Sequence, residues 1–488
     1  MKPIGTITCY FPFIDDDTRK TLESTMNKAY DYSDFVKSMT NLILEEDCSD
    51  LTVYFTIHHS ILLYDMKQVK RIHKKYGDRL ILQPNLFCVA ELLGDSDANK
   101  KVQEVARAFL ETNPAEWLQL EMRFHQFEAE MRNYPESMYD TANLESIIQI
   151  IESNPQYSFY ESVLYDNFSQ RSMIDGDSEG RLKYIEKAIE CAEKHNDIVR
   201  IGDFLNKKAR IIIDDERTQA RELLLQSIQL TKTLGMKADI AYSQDQLSKI
   251  EATRGEYNLA INHYEENITI LESIGLPSSN TSLILSALYN IIGEPDSGYE
   301  WGLMTEAQFK HRPLLLPRAI LNQAWSLILM KKTTEALLLI DSVRDTITRS
   351  GRETEIAWLH FVSGVLEIAD GDYASAMSSI EEALKIYENR AGTLVYQNMF
   401  LHYLARIEVH LSDKETNVSP YLSLLEERAR SEDLPGILGQ ALLLQAELAI
   451  IQEDDASLRH ILIELGPLAE TPSMEFLRSR FDHLLTLI

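Results

Sequence analysis

Basic residues are scarce in this chain. Its 48 Lys and Arg face 76 Asp and Glu, a formal charge of −28 over 488 residues. Such a surface repels phosphate, so neither nucleic acid nor an anionic membrane is an expected partner. Turn formers are scarce too: 19 glycines and 14 prolines make about 7% of the chain, against roughly 12% in average usage. A chain so poor in breakers favours long helices over a many-stranded sandwich or barrel. The four cysteines, Cys9, Cys48, Cys88 and Cys191, lie far apart with no C-x-x-C pair, which excludes a zinc ribbon and argues for free thiols in a reducing compartment. No run of apolar residues reaches membrane length; Ala441 to Ile451 is interrupted by Gln445 and Glu447. The opening residues, broken by Pro12 and running into Asp15, Asp16 and Asp17, do not read as a secretory signal, and a cytoplasmic protein is expected.

Chemical motifs are absent as well. The sequence holds no P-loop, no dinucleotide fingerprint, no Gly-x-Ser-x-Gly elbow and no His-Glu-x-x-His. His58 and His59, read on a strand, would point to opposite faces. His402 and His410, eight apart on one helix, would lie ~12 Å apart along its axis, too far to share a metal. The acidic runs Asp214-Asp215-Glu216 and Glu453-Asp454-Asp455 precede expected helices, where carboxylates favour the positive helix end. No catalytic residue, metal or cofactor is therefore expected, and the chain does not read as an enzyme.

What the sequence does contain is a repeat. From about Ser178 onward helical periodicity is nearly continuous. Gly255-Glu256-Tyr257 and Gly371-Asp372-Tyr373 open two matching units, each followed after two intervening residues by an alanine, Ala260 and Ala376. Weaker copies place Ala220, Gly298 and Ala336 between and before them, so that Ala220, Ala260, Gly298, Ala336 and Ala376 stand 40, 38, 38 and 40 residues apart. Close helix crossing explains such a register. A bulky side chain at the crossing would push the helices apart, and the apolar residue four positions on, such as Leu224, Tyr264, Ile340 or Ile380, fills the seam. One pair cannot bury both faces, so neighbouring pairs must stack.

Gly255 to Ile268 and Gly371 to Leu384 resemble the turn and second helix of a tetratricopeptide repeat. The period of 38 to 40 resembles the longer-helix variants of kinesin light chains and of helical sensor domains in bacterial signalling regulators. Asn267 and Val343 depart from the pattern, standing where a small residue is usual. The resemblance implies a mainly α fold, a TPR-like α-solenoid in which antiparallel helix pairs form a right-handed superhelix with a concave groove lined by the first helices. By alignment on the small residues, Asn206, Gln246 and Asn322 fall at equivalent places in three first helices. There a carboxamide either faces the groove, where it bonds the backbone of an extended peptide, or bonds neighbouring helices. Lys249, Arg318, Trp325, Trp358 and Phe361 fall nearby, the aromatic residues as groove or as core. The carboxylate clamp of chaperone-binding members is absent.

The first 115 residues read differently. Ile4 to Phe13, Leu51 to His58 and Leu80 to Leu86 suit strands, and Thr18 to Leu44 and Met66 to Tyr76 suit helices. The expected organisation is a small N-terminal α/β or α+β module over 1–115, an irregular helical connection over 116–177, and the solenoid over 178–488 with a capping C-terminal helix. The expected function is a non-enzymatic scaffold or adaptor that binds a protein or extended peptide. The alternative is a regulatory sensor, its solenoid holding a small ligand and its N-terminal module passing on the signal.

Overall fold

A computed structural model of the chain describes residues 16–29, 32–46, 48–62, 66–76, 108–112, 115–133, 141–275, 278–310, 315–388, 390, 393–414 and 419–486. Every regular element among them is a helix. The N-terminal part holds α1 (Asp16–Lys28), α2 (Tyr32–Glu45), α3 (Asp50–Leu62), α4 (Met66–Tyr76), α5 (Glu116–Asn133) and α6 (Thr141–Ser153), then a 3-10 turn at Pro155–Tyr160. The repeats alternate first and second helices: α7 (Glu161–Ile174) with α8 (Ser178–Lys194), α9 (Ile198–Ile212) with α10 (Arg217–Leu234), α11 (Lys237–Arg254) with α12 (Tyr257–Ile274), α13 (Ser279–Ile292) with α14 (Pro295–Phe309). Then come α15 (Leu316–Leu329) with α16 (Thr333–Ser350), α17 (Glu353–Asp370) with α18 (Tyr373–Tyr387), α19 (Leu394–Leu411) with α20 (Pro420–Ser431), and α21 (Pro435–Ile451) with α22 (Asp455–Ala469). The C-terminal helix expected beyond them is split, a 3-10 turn at Pro472–Leu477 preceding α23 (Arg478–Leu485).

The chain is thus a TPR-like stack of helix pairs. From α13 onward each helix packs on the next, and first helices α13, α15 and α17 also pack on one another. The register of small residues has a simple place in this architecture. Ala220, Ala260, Gly298, Ala336 and Ala376 are each the fourth residue of their second helix, and all are buried. A Cβ on Gly298 would overlap the Asn290 side chain of the helix before it. Local chemistry starts these helices: Asp372 accepts from the Ser375 backbone N–H at 3.1 Å and Asp454 from Ser457 at 3.0 Å, each satisfying an orphan donor of the first turn.

The N-terminal expectation needs correction. Among the described residues there is no strand, and Leu51 to His58 lies inside α3; Ile4 to Phe13 and Leu80 to Leu86 lie outside the described residues. A short apolar run buried on all sides has no period that separates strand from helix. Residues 52–57 are such a run. Their hydroxyls bond back along the helix, Thr56 to the Thr52 carbonyl and Ser60 to the Thr56 carbonyl, both at 2.8 Å, so β-branched residues fit the helix with no polar group stranded. His59 is buried too, 2.6 Å from the Tyr32 hydroxyl through Nδ1.

The packing divides the chain into two compact units, residues 1–243 with 273–276, and residues 244–272 with 277–488. In the first, one apolar core runs from Leu22 to Met236. In the second, the core is continuous from Ala252 to Leu444 and is rich in aromatic rings around Trp325, Trp358 and Phe361. The second unit also closes on itself. At the turn between α11 and α12, Gly255 takes φ +78°, a conformation glycine adopts without strain. Its carbonyl meets Gly436 at the start of α21 so closely that a Cβ on residue 436 would overlap it. Around this contact Arg254 donates to the Asp433 carbonyl and carboxylate at 3.1 and 3.0 Å, and Phe476 donates its backbone N–H to Asn258 at 3.2 Å. The helix α21 is predominantly apolar and buries most of its length, leaving Glu447 and Ile451 half-buried and Ile450 exposed near its end. No helix among the described residues is long and apolar enough to cross a membrane.

Two substitutions test this packing by thermal or urea unfolding. Ala260→Leu should overpack the α11–α12 crossing and cost roughly 1–3 kcal/mol. Gly436→Ala should lose a similar amount by forcing apart the backbones at Gly255. A variant as stable as the parent would show that the corresponding close approach does not exist.

Candidate functional site

The residues expected along a groove are mostly inside the protein. Asn322, on α15, is 1% exposed. Its Nδ2 donates to the Leu283 carbonyl of α13 at 3.0 Å, and its Oδ1 accepts from Trp358 Nε1 of α17 at 2.9 Å. The Asn322 carbonyl accepts from Asn290 at 3.3 Å, and Ser326 donates to the Asn290 side chain at 2.9 Å. This ladder of amides ties three consecutive first helices together with each polar end satisfied, as a low-dielectric interior demands. Trp325 and Trp358 are fully buried, Trp325 donating to the Tyr403 hydroxyl at 3.2 Å. Arg318 is buried with its guanidinium 3.6 Å above the Trp358 ring and bonded to the Thr354 carbonyl at 3.3 Å. In the first unit Asn206 is 7% exposed and donates to Ser243 at 2.9 Å. Only Gln246 and Lys249 remain open, and both bond to Asp245, at 2.9 and 2.6 Å. With the fully buried Phe361, six of the eight therefore meet protein and not an open channel.

Open space with chemistry lies instead beside α19. One half-open cleft of about 440 Å³ has a floor of Ile368, Ile407, Val409 and Ile451 and a rim bearing Tyr373, Arg406, His410, Glu447 and Arg480. A smaller, more enclosed cavity of about 120 Å³ lies along the same helix, lined among others by Tyr257, Asn290, His402, Tyr403 and Gln440. Arg406 borders both. On the rim Arg480 pairs with Glu447, and the His410 ring lies 4.4 Å from that of Tyr373. Arg406 is exposed, with its guanidinium 5.5 Å from the Tyr403 ring, and pairs with no carboxylate among the described residues. Burial, then the guanidiniums of Arg406 and Arg480, hold the His402 imidazole well below the usual histidine range, so it is neutral at pH 7. Its Nδ1 is buried without a hydrogen-bond partner. The sequence carried a signal here: His402, Arg406 and His410 recur every four residues, which puts them along one helix face.

A second polar cluster sits in the first unit. Lys207 on α9 bonds Asp166 of α7 at 2.7 Å and Asp203 at 2.8 Å. Burial alone would lower its ammonium, but the two carboxylates hold it above its usual range. Asp239 on α11 is pushed up to about 7, first by burial and then by Asp203. Cys191 is a buried free thiol, pushed up to about 11 by burial and so unreactive at neutral pH; Cys48 is half-buried, and Cys9 and Cys88 lie outside the described residues.

No family model and no curated protein matches the sequence. Among solved structures, one similar chain is a signal transduction ATPase with numerous domains carrying a tetratricopeptide-repeat sensor, from Pyrococcus horikoshii: TM-score 0.48, 13% identity, 76% of this chain and 54% of that one, so this chain spans about half its length. The apo quorum sensor NprR of B. thuringiensis matches with TM-score 0.37 and 13% identity over 86% of this chain and 98% of that one. Yeast Tom70 matches with TM-score 0.34 and 14% identity over 97% and 95%. Likeness at this level assigns no activity or ligand to the chain.

Two outcomes follow from the buried polar groups. Asn322→Ala should strand Trp358 Nε1 and cost about 1–3 kcal/mol in urea unfolding, whereas the exposed Lys249→Ala should change stability by less than about 0.5 kcal/mol. For Asp239 the sign runs against the usual carboxylate. A raised folded pKa means the folded chain holds the proton more tightly, so this share of stability is present at low pH and lost as pH rises from the ordinary carboxylate range to about 7. Asp239→Asn should therefore gain stability relative to the parent between pH 5 and pH 8, and a difference flat with pH would show that Asp239 is ionised throughout.

Proposed function

We propose that the chain is a non-enzymatic adaptor that binds another protein through an extended segment, and that the segment lies in the cleft beside α19. The observation that carries this reading is the cleft itself: half-open, apolar-floored, and rimmed by polar groups, one of them an unpaired guanidinium. Its volume falls within the range of sites that bury a ligand of several side chains or rings. The charge of −28 favours a protein partner over a nucleic acid. The free thiol of Cys191 accords with a cytoplasmic setting.

The sensor reading draws support from the inner cavity, where the His402 Nδ1 waits for a partner. At about 120 Å³ that cavity is well below the usual size of an organic-ligand site and suits water or a very small ion. The adaptor reading is accordingly preferred.

Selection of a displayed random-heptapeptide library on the full chain tests it. Peptides should be enriched whose binding is lost with Ile450→Arg, which blocks the cleft rim, and kept with Leu338→Glu, a substitution at an exposed leucine of α16. Enrichment indifferent to Ile450→Arg would place binding elsewhere, and no enrichment at all would overturn the reading.

A further inference from the structure

The arginines of this acid-rich chain are mostly spoken for. Arg171 pairs with Asp175, Arg200 with Asp197, Arg254 with Asp433, and Arg430 with Glu426 and Glu464. Even on the cleft rim Arg480 is held by Glu447. Arg406 differs by its place: like the exposed Arg210, Arg459 and Arg478 it has no carboxylate partner among the described residues, although acids outnumber bases 76 to 48, but of these four it alone borders the apolar floor of the cleft. It projects from a helix whose opposite neighbours are fixed, since Tyr403 is buried and bonded to Trp325 and Ile407 is buried in the core. Its backbone position is therefore preorganised, and a planar guanidinium with free donors is the side chain best matched to a carboxylate.

We propose that the cleft takes an acidic side chain flanked by branched aliphatic residues, from an extended internal segment of a partner protein, and that Arg406 is the residue that holds the carboxylate. The flanking aliphatic groups lie on Ile368, Ile407 and Ile451, beside the exposed edge of Ile450. Charge complementarity selects this occupant. A basic segment would meet Arg406 and Arg480 together, and a wholly apolar one would cover the Arg406 charge with nothing to pair it. Arg480, already paired with Glu447, keeps the rim from being strongly cationic, so a free polyanion gains little there while a single carboxylate gains a bidentate contact. This inference rests on the cleft being the peptide site.

The test uses three pools of heptapeptides, capped at both ends so that no terminal carboxylate contributes. Each has Ile, Leu or Val on both sides of a central residue that is Glu, Gln or Lys. Binding to the full chain is read by fluorescence polarisation at 50 and 300 mM NaCl. The Glu pool should bind about 10- to 100-fold more tightly than the Gln pool, the worth of one charge-assisted bond, and should weaken with salt. Arg406→Ala should remove that advantage, Arg406→Lys should keep part of it, and Arg406→Glu should move the preference to the Lys pool. Circular dichroism of each variant should match the parent, because the side chain is exposed. Equal affinity for the Glu and Gln pools, or an advantage untouched by Arg406→Ala, overturns the inference. If the random library gives cleft-dependent peptides without an acid, the inference falls and the adaptor reading stands; if neither experiment finds binding, both fall.

Discussion

One steric requirement governs the middle of the repeat region: at the fourth residue of the second helices α10, α12, α14, α16 and α18 the neighbouring helix stands too close for any side chain beyond a methyl. Ala220, Ala260, Ala336 and Ala376 are fully buried there, and Gly298 has no room even for a methyl. That contact sets how far each second helix stands from its first helix, and hence how tightly successive pairs nest. The 38-to-40-residue period is the sequence record of it. The same kind of approach recurs between distant parts of the chain, where Gly255 meets Gly436, and there it joins the α11–α12 pair to the pair formed by α21 and α22.

Tight nesting has a polar consequence. When α13, α15 and α17 come together, their facing surfaces leave water behind, and each buried amide must find its partners inside. Asn290, Asn322 and Trp358 supply them in a chain that crosses three helices. The equivalence of Asn206 and Asn322 was legible in the sequence, because both sit at matching steps of the repeat. Whether such an amide faces a channel or a neighbour was not. A carboxamide serves both places for one reason, that it donates and accepts at once. The deciding quantity is how far the stack closes, and that is fixed by contacts such as Arg254 with Asp433, 179 residues apart, which have no local signature.

The helix pairs were readable because period 3.6 and the small-residue register agree over many residues. The N-terminal residues gave a misleading signal for the opposite reason. Thr52, Val53, Tyr54, Phe55, Thr56 and Ile57 are the types enriched in strands, and all are buried. Burial on every side erases the period, so propensity alone remained, and tertiary packing against Tyr32, Phe35 and Trp117 overrode it.

The cleft beside α19 arises where the repeat loses its regularity. After α18 the register of alanines ends: the fourth residue of α20 is Ser423 and that of α22 is Leu458. Past α22 the chain leaves the helix-pair rhythm through the 3-10 turn at Pro472–Leu477, which packs on Tyr257 through Phe476 and delivers α23 with Arg480 against Glu447 of α21. On the flank formed by α19 and α21, Ile450 is partly exposed and Arg406 has no carboxylate partner among the described residues. The features that make the site are thus departures from the repeat, while the features that make the fold are its fulfilment. A reading tuned to the repeat finds the second and passes over the first, even though Arg406 and His410 mark the exposed flank at helical spacing.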